Sequence, residues 1–133
     1  IIPQIIWDEI DEERFETEII FTEYRGHGSD LAQSYVEQGY YAVIAVGGDG
    51  TVNEIAKALI HTDTSLGIVP IGSGNGLARH LGIPMSVQKA IQQINHSETI
   101  LMDYGVVNNQ PFFCTCGTVG RNVWDALRVS IFV

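Results

Sequence analysis

An unbroken apolar run, Tyr40-Tyr41-Ala42-Val43-Ile44-Ala45-Val46, leads straight into Gly47-Gly48-Asp49-Gly50-Thr51-Val52-Asn53-Glu54. A run this short, bounded and apolar on both faces suits a buried parallel strand, the kind that occurs where helices cover both faces of a sheet. The glycines let backbone N–H groups turn inward without Cβ clashes, and N–H groups at the start of a helix attract phosphate. Asp49 stands inside this loop. A carboxylate beside a phosphate repels it, so Asp49 belongs there if it works through a metal or accepts a proton. The combination points to phosphoryl transfer rather than nucleotide storage.

Strand and helix patterns alternate from residue 1 to about residue 96. Residues 1–10 suit a helix, with Pro3 tolerated in its first turn. Residues 15–22 set Phe15, Thr17, Ile19 and Phe21 against Glu16 and Glu18, the pattern of a half-buried strand. After Gly26-His27-Gly28, Ser29 is placed to cap a helix carrying Leu31, Ala32, Tyr35 and Val36, and Gly39 stops it. Thr51 and Glu54 have capping-box spacing, and Val52, Ile55, Ala56, Leu59 and Ile60 form one helical stripe. Leu66 to Ile71 is a second apolar strand, and it too runs into glycines, Gly72-Ser73-Gly74-Asn75-Gly76. A short helix from Leu77 ends at Gly82-Ile83-Pro84, and Ser86 caps a helix with Val87, Ala90, Ile91 and Ile94 inward. The expected fold is α/β, a doubly wound parallel sheet with ligands at the carboxyl ends of its strands. Beyond residue 97 two strands, Ile100–Val107 and Phe112–Gly117, joined through Asn108-Asn109-Gln110, suggest an antiparallel β domain beginning at 98.

Charge narrows the partners. The chain carries 16 acids against 7 bases, a net −9. Eight of those acids lie between Asp8 and Glu23, as on a solvated acidic face. Neither nucleic acid nor an anionic membrane patch suits that balance, since both need clustered Lys and Arg. No apolar run approaches the roughly 20 residues of a membrane helix. Cys114 and Cys116 read as free thiols of a reducing compartment. The chain opens inside an amphipathic pattern and closes on Ile131-Phe132-Val133, so a piece of a longer protein is expected.

Neither glycine loop is a common nucleotide motif. Asn53 stands where a third glycine would follow Gly48 and Gly50, Leu77 stands where one would follow Gly72 and Gly74, and no Gly-Lys-Ser/Thr exists. Either loop alone could be a tight strand-to-helix turn; two at the same end of neighbouring strands favour a site. His27 and His80 read as solvated or core-edge, and Lys57 as solvated. Arg79 suits a phosphate contact or a surface cation equally.

Gly47–Glu54 and Pro70-Ile71-Gly72-Ser73-Gly74-Asn75-Gly76-Leu77-Ala78 together resemble the diacylglycerol kinase catalytic domain, the family of bacterial diacylglycerol and related lipid kinases, sphingosine kinases and ceramide kinases. The resemblance covers roughly residues 15–120. Gly-Gly-Asp-Gly-Thr is shared with nicotinamide dinucleotide kinases; the second loop followed by Leu-Ala-Arg is not. That family begins with a strand ending in a phosphate loop, ahead of Ile1, and closes with a larger β domain. A two-domain lipid kinase is thus implied, with residues 1–97 as its nucleotide domain lacking the first strand and 98–133 as the start of the second. Asn75 before Gly76 is nearer the sphingosine and ceramide kinase style.

By position, the resemblance has Gly47, Gly48, Asp49, Gly50, Thr51, Val52 and Asn53 wrap the phosphates of ATP. Thr22 on the adenosine side and Gly72, Ser73, Gly74 and Asn75 in the second loop contact the nucleotide. Asp49 is the implied catalytic residue, acting through Mg²⁺, directly or by way of water, or by helping to deprotonate the lipid hydroxyl. The implied activity is ATP-dependent phosphorylation of a lipid hydroxyl, of diacylglycerol or a sphingoid-type lipid, by a cytoplasmic enzyme that visits the membrane surface. A homodimer is left open. The alternatives are an NAD kinase-like phosphotransferase and a nucleotide-binding regulatory module without turnover.

Overall fold

The structure, a computed structural model, describes residues 1–107, 110–112 and 128–133. Cys114, Cys116, most of the expected 112–117 strand and the Gly117–Ala126 stretch lie outside the described residues. The elements run α1 (Ile2–Glu9), α2 (His27–Glu37), β1 (Ala42–Gly47), α3 (Asp49–Leu59), β2 (Ser65–Pro70), α4 (Gly76–His80), α5 (Val87–Ile94), β3 (Thr99–Asp103), β4 (Gly105–Val107), β5 (Gln110–Phe112) and β6 (Arg128–Phe132).

The main sheet has the order β1-β2-β6-β3. β1 and β2 are parallel in register from Ala42↔Ser65 to Gly47↔Pro70. β6 runs parallel to β2, and β3 closes the far edge antiparallel to β6. The fold is therefore α/β on a largely parallel sheet. β2 is buried at all six positions, as a strand must be when helices pack on both faces; α3 and α5 both rest on it. The core joins Val52, Ile55, Ala56 and Leu59 of α3 to Leu66, Ile68 and Val69 of β2 and to Ala90, Ile91 and Ile94 of α5.

Several local expectations are met. Pro3 lies in the first turn of α1, Gly39 adopts φ 78° just past α2, and the Ser86 hydroxyl accepts the Lys89 N–H at the start of α5. Others are corrected. Residues 15–22 form no strand. Their burial alternates, Phe15, Thr17 and Ile19 half-buried against exposed Glu16, Glu18 and Ile20, yet among the described residues no backbone ladder joins them to a neighbour. α2 begins at His27 after Gly26, which holds φ 94°, so Ser29 lies in its first turn and does not cap it. β1 is an edge strand and only partly buried, with Ala42, Val43, Ile44 and Val46 half-exposed. Its free side and residues 15–22 line one apolar groove of about 440 Å³, together with Ile2, Ile6 and Ile10 of the α1 region.

The expected 100–107 strand breaks at Tyr104. Its first part, β3, joins the main sheet, and only β4 enters the small antiparallel hairpin with β5. Membership of the first sheet thus extends to Thr99–Asp103 and Arg128–Phe132, past residue 97, where the sequence pattern changes.

Candidate functional site

Parallel pairing brings the two glycine loops together. Gly47 and Pro70 are partners at the ends of β1 and β2, so both loops leave the sheet at the same height. The Ile71 N–H donates to the Gly47 carbonyl at 3.1 Å, one step beyond the ladder. Gly48 and Gly72 then pass in contact. A Cβ on Gly72 would stand 2.5 Å from the Gly48 Cα, and one on Gly48 would stand 3.2 Å from the Gly72 Cα. Positive φ is not the reason for glycine here, since the positive-φ glycines among the described residues are Gly26, Gly39 and Gly82. Close approach is the reason. Gly47 is crowded in the same way, by the Thr51 side chain at 2.7 Å from where its Cβ would lie.

α3 starts three residues earlier than the capping-box spacing predicts. Its N-cap is Gly48, and the first intrahelical bond runs from the Val52 N–H to the Gly48 carbonyl at 3.0 Å. The N–H groups of Asp49, Gly50 and Thr51 precede that bond and are the helix's open donors. Nothing lies within 4 Å of where a Gly50 Cβ would stand, so the approach to these donors is clear. Thr51 and Glu54 do not form a capping box. Thr51 packs on Gly47, and Glu54 reaches the backbone N–H of Ser29 at 3.1 Å.

Asp49 occupies the first turn of α3, where a carboxylate is favoured by the helix dipole. Its Oδ1 accepts the N–H of Gly76 at 2.8 Å, fastening the first loop to the start of α4. The other oxygen, Oδ2, lies 2.7 Å from where a Gly74 Cβ would be, so glycine at 74 leaves it uncovered. Oδ1 is engaged by the Gly76 N–H, and no hydrogen bond to Oδ2 is seen among the described residues. Among the described residues no group of three His, Cys, Asp or Glu side chains stands close enough to hold a metal unaided. Magnesium is usually held by one or two carboxylates with substrate phosphates and water. The exposed Asp49 Oδ2 fits that kind of site.

The second loop is built by Asn75. It adopts φ 55°, and its buried side chain clamps Gly72 from both sides: Oδ1 accepts the Gly72 N–H at 3.0 Å and Nδ2 donates to the Gly72 carbonyl at 2.7 Å. Asn75 therefore turns back on its own loop, while Ser73 and Gly74 are exposed. The Arg79 Nε–H donates to the Gly74 carbonyl at 2.8 Å, which gives that arginine a structural partner in the loop. Val52 faces the core, at 6% exposure, and reaches the site only through its backbone. Asn53 is half-buried behind it, and Lys57 and His80 are exposed.

Thr22 is exposed. It lines the groove that also touches Gly28, Thr51 and Ile71. The turn after it is ordered by the His27 N–H donating to the Tyr24 carbonyl at 3.1 Å and the Glu23 N–H donating to His27 Nδ1 at 3.0 Å. The Tyr24 and His27 rings stack, with centroids 4.4 Å apart. Partial burial, and then the nearby Asp30 carboxylate, hold the Tyr24 hydroxyl above its ordinary pKa. Glu54 is the residue whose part the sequence hid, because its partner lies 25 residues away and spacing shows only the local capping alternative.

The pattern of the diacylglycerol kinase catalytic domain matches residues 4–107. The chain is 40% identical over 97 residues to the "Probable lipid kinase YegS-like" of Enterobacter sp. (strain 638), covering 67% of this chain and 32% of that protein. It is 39% identical over 97 residues to lipid kinase YegS of Escherichia coli (strain K12), with the same coverage. It thus spans about a third of the length of these curated relatives. The crystal structure of a diacylglycerol kinase from Bacillus anthracis str. Sterne superposes with a TM-score of 0.72 at 26% identity, over 82% of this chain and 42% of that one. No helix among the described residues is long and apolar enough to cross a membrane. With the match running through both glycine loops and most of the sheet that carries them, the chain belongs to the diacylglycerol kinase catalytic domain family.

Proposed function

We propose that this chain is the nucleotide-binding part of an ATP-dependent lipid kinase that moves the γ-phosphate of ATP to a lipid hydroxyl. One observation carries the reading: two glycine loops at the carboxyl ends of adjacent parallel strands are joined through a single carboxylate, Asp49, which keeps one oxygen uncovered. The open N–H groups of Asp49, Gly50 and Thr51 suit the phosphates. Thr22 and Ser73, exposed on either side, suit the rest of the nucleotide. In the reaction the lipid oxygen bonds to the γ-phosphorus, the bond to the β–γ bridging oxygen breaks, and ADP leaves. The hydroxyl proton passes to Asp49 or to water. Mg²⁺, when bound beside Asp49, supplies charge neutralisation; the chain's own part is positioning.

Diacylglycerol or a sphingoid-type lipid is the acceptor in this reading, met at the membrane face by a cytoplasmic enzyme. The hairpin β4–β5 then opens a second, β-rich domain, with the nucleotide domain continuing through Asp103. The groove between residues 15–22 and β1 takes a further strand of the same polypeptide. The half-exposed apolar residues of β1 and its place at the sheet edge support this. The test is to incubate the gene product that carries this chain with γ-labelled ATP, Mg²⁺, mixed-lipid vesicles and NAD. Label in a lipid is expected. Label on NAD, or in released phosphate alone, contradicts the reading.

A further inference from the structure

α3 holds two neighbouring helices by their N-termini. Neither α2 nor α4 has a side-chain cap of its own: the N-cap residues are Gly26 and Asn75, and neither caps its helix through a side chain. Each instead receives a carboxylate from α3. Asp49 accepts the Gly76 N–H of α4 at 2.8 Å, and Glu54 accepts the Ser29 N–H of α2 at 3.1 Å. The second contact is close packed. A Cβ on Gly28 would stand 3.0 Å from Glu54 Oε1 and 3.2 Å from Ile55 Cγ1, so α2 meets α3 at a glycine with no room to slide.

The consequence is positional. Gly28 and Ser29 lie in the first turn of α2, just after the Tyr24–Gly26 turn that Thr22 leads into, and that turn is braced internally by Tyr24 and His27. Fixing Ser29 on α3 fixes Thr22 relative to the glycine loop from which α3 starts. Resting on the functional reading above, we propose that Glu54 is a positioning residue for the nucleotide. It sets the distance between the Thr22 turn and the phosphate-binding donors of Asp49–Thr51, without touching the reacting atoms.

The test uses Glu54→Ala, Glu54→Gln and Gly28→Ala in the gene product that carries this chain. Glu54→Ala removes a hydrogen bond to a charged acceptor and should raise KM for ATP about tenfold. Its kcat should stay within about twofold, and KM for the lipid should not change. Glu54→Gln keeps an oxygen acceptor and should bring KM for ATP back to within about threefold of wild type. Gly28→Ala pushes on the carboxylate and should raise KM for ATP in the same direction. Amide exchange of Ser29, read by NMR or on the peptide spanning residues 23–32, should quicken in Glu54→Ala and return in Glu54→Gln, with or without catalysis. Loss of kcat at unchanged KM would put Glu54 in the chemistry and overturn the proposal. So would faster Ser29 exchange with unchanged KM for ATP, or unchanged Ser29 exchange. A wild-type protein that uses no ATP, yet shows the expected exchange pattern, would sink the functional reading and the nucleotide part of this one while leaving the helix contact standing.

Discussion

The Asp49 carboxylate and the Gly76 amide, 27 residues apart in the chain, meet at 2.8 Å. That bond makes one structure of two loops that the sequence presents separately. It also gives Asp49 a structural duty that its place between glycines does not reveal. Its two oxygens face different neighbours, and substitutions can separate their roles.

The loop contact predicts opposite outcomes at two glycines. Gly72→Ala puts a Cβ 2.5 Å from the Gly48 Cα, and backbone must move to admit it. A loss of about 1–3 kcal/mol is expected, read as a lower urea midpoint. Gly50→Ala meets nothing within 4 Å and sits in a helical turn without positive φ. It should be neutral or stabilise by up to about 1 kcal/mol. Gly50→Val should also fold. Its side chain would stand over the open donors, so titration with an ATP analogue should find affinity lost.

Asn75→Ala should cost stability as well as activity. The side chain is buried and clamps Gly72 in both directions, so its removal leaves the loop's backbone groups unpaired, at about 1–3 kcal/mol. Asn75→Gly relieves the φ of 55° but still loses the clamp, and should fall between wild type and Ala in the urea midpoint. Acceptor preference should be the same in all three. A variant that changes which lipid is phosphorylated would mean that this loop faces the acceptor.

Two tyrosines make stability fall at alkaline pH. The Tyr40 hydroxyl donates to Glu18 Oε2 at 2.9 Å, and this bond is the main cause of its raised pKa. Tyr35 is raised first by burial and then by the same carboxylate. A raised folded-state pKa contributes stability in full below the unfolded value, about 10 for tyrosine, and loses it as pH rises through the folded values. Glu18→Gln should bring the tyrosinate absorbance transition to lower pH and flatten the alkaline loss of stability. An unchanged absorbance titration would mean that Glu18 does not act on these rings.

Periodicity made the helices legible. The stripes of α3 and α5 carry their buried residues where a 3.6-residue repeat puts them, and Gly39 and Ser86 end and begin helices as their chemistry dictates. The 15–22 alternation was legible as burial but not as a strand, because a ladder needs a partner and none of the described residues supplies one. β1 read as doubly covered because apolar composition records the cover a strand is built for. In this structure it lies at an edge. The site was legible as two loops. Their contact through Gly48 and Gly72, the clamp of Asn75 and the reach of Glu54 to Ser29 were not, since each depends on where distant backbone comes to rest.

The role of Asp49 in phosphate transfer is tested by comparing Asp49→Asn with Asp49→Ala in the gene product that carries this chain, measuring single-turnover phosphate transfer and ATP affinity side by side. Asn keeps an oxygen for the Gly76 N–H but cannot take a proton or pair with a cation. It should hold ATP affinity within a few fold while transfer falls at least about a hundredfold, the scale of a group that acts in the transition state. Ala loses the loop bond too, and should weaken ATP affinity as well as transfer. Near-wild-type transfer by Asp49→Asn would contradict the account and leave Asp49 as the fastening between two loops and nothing more.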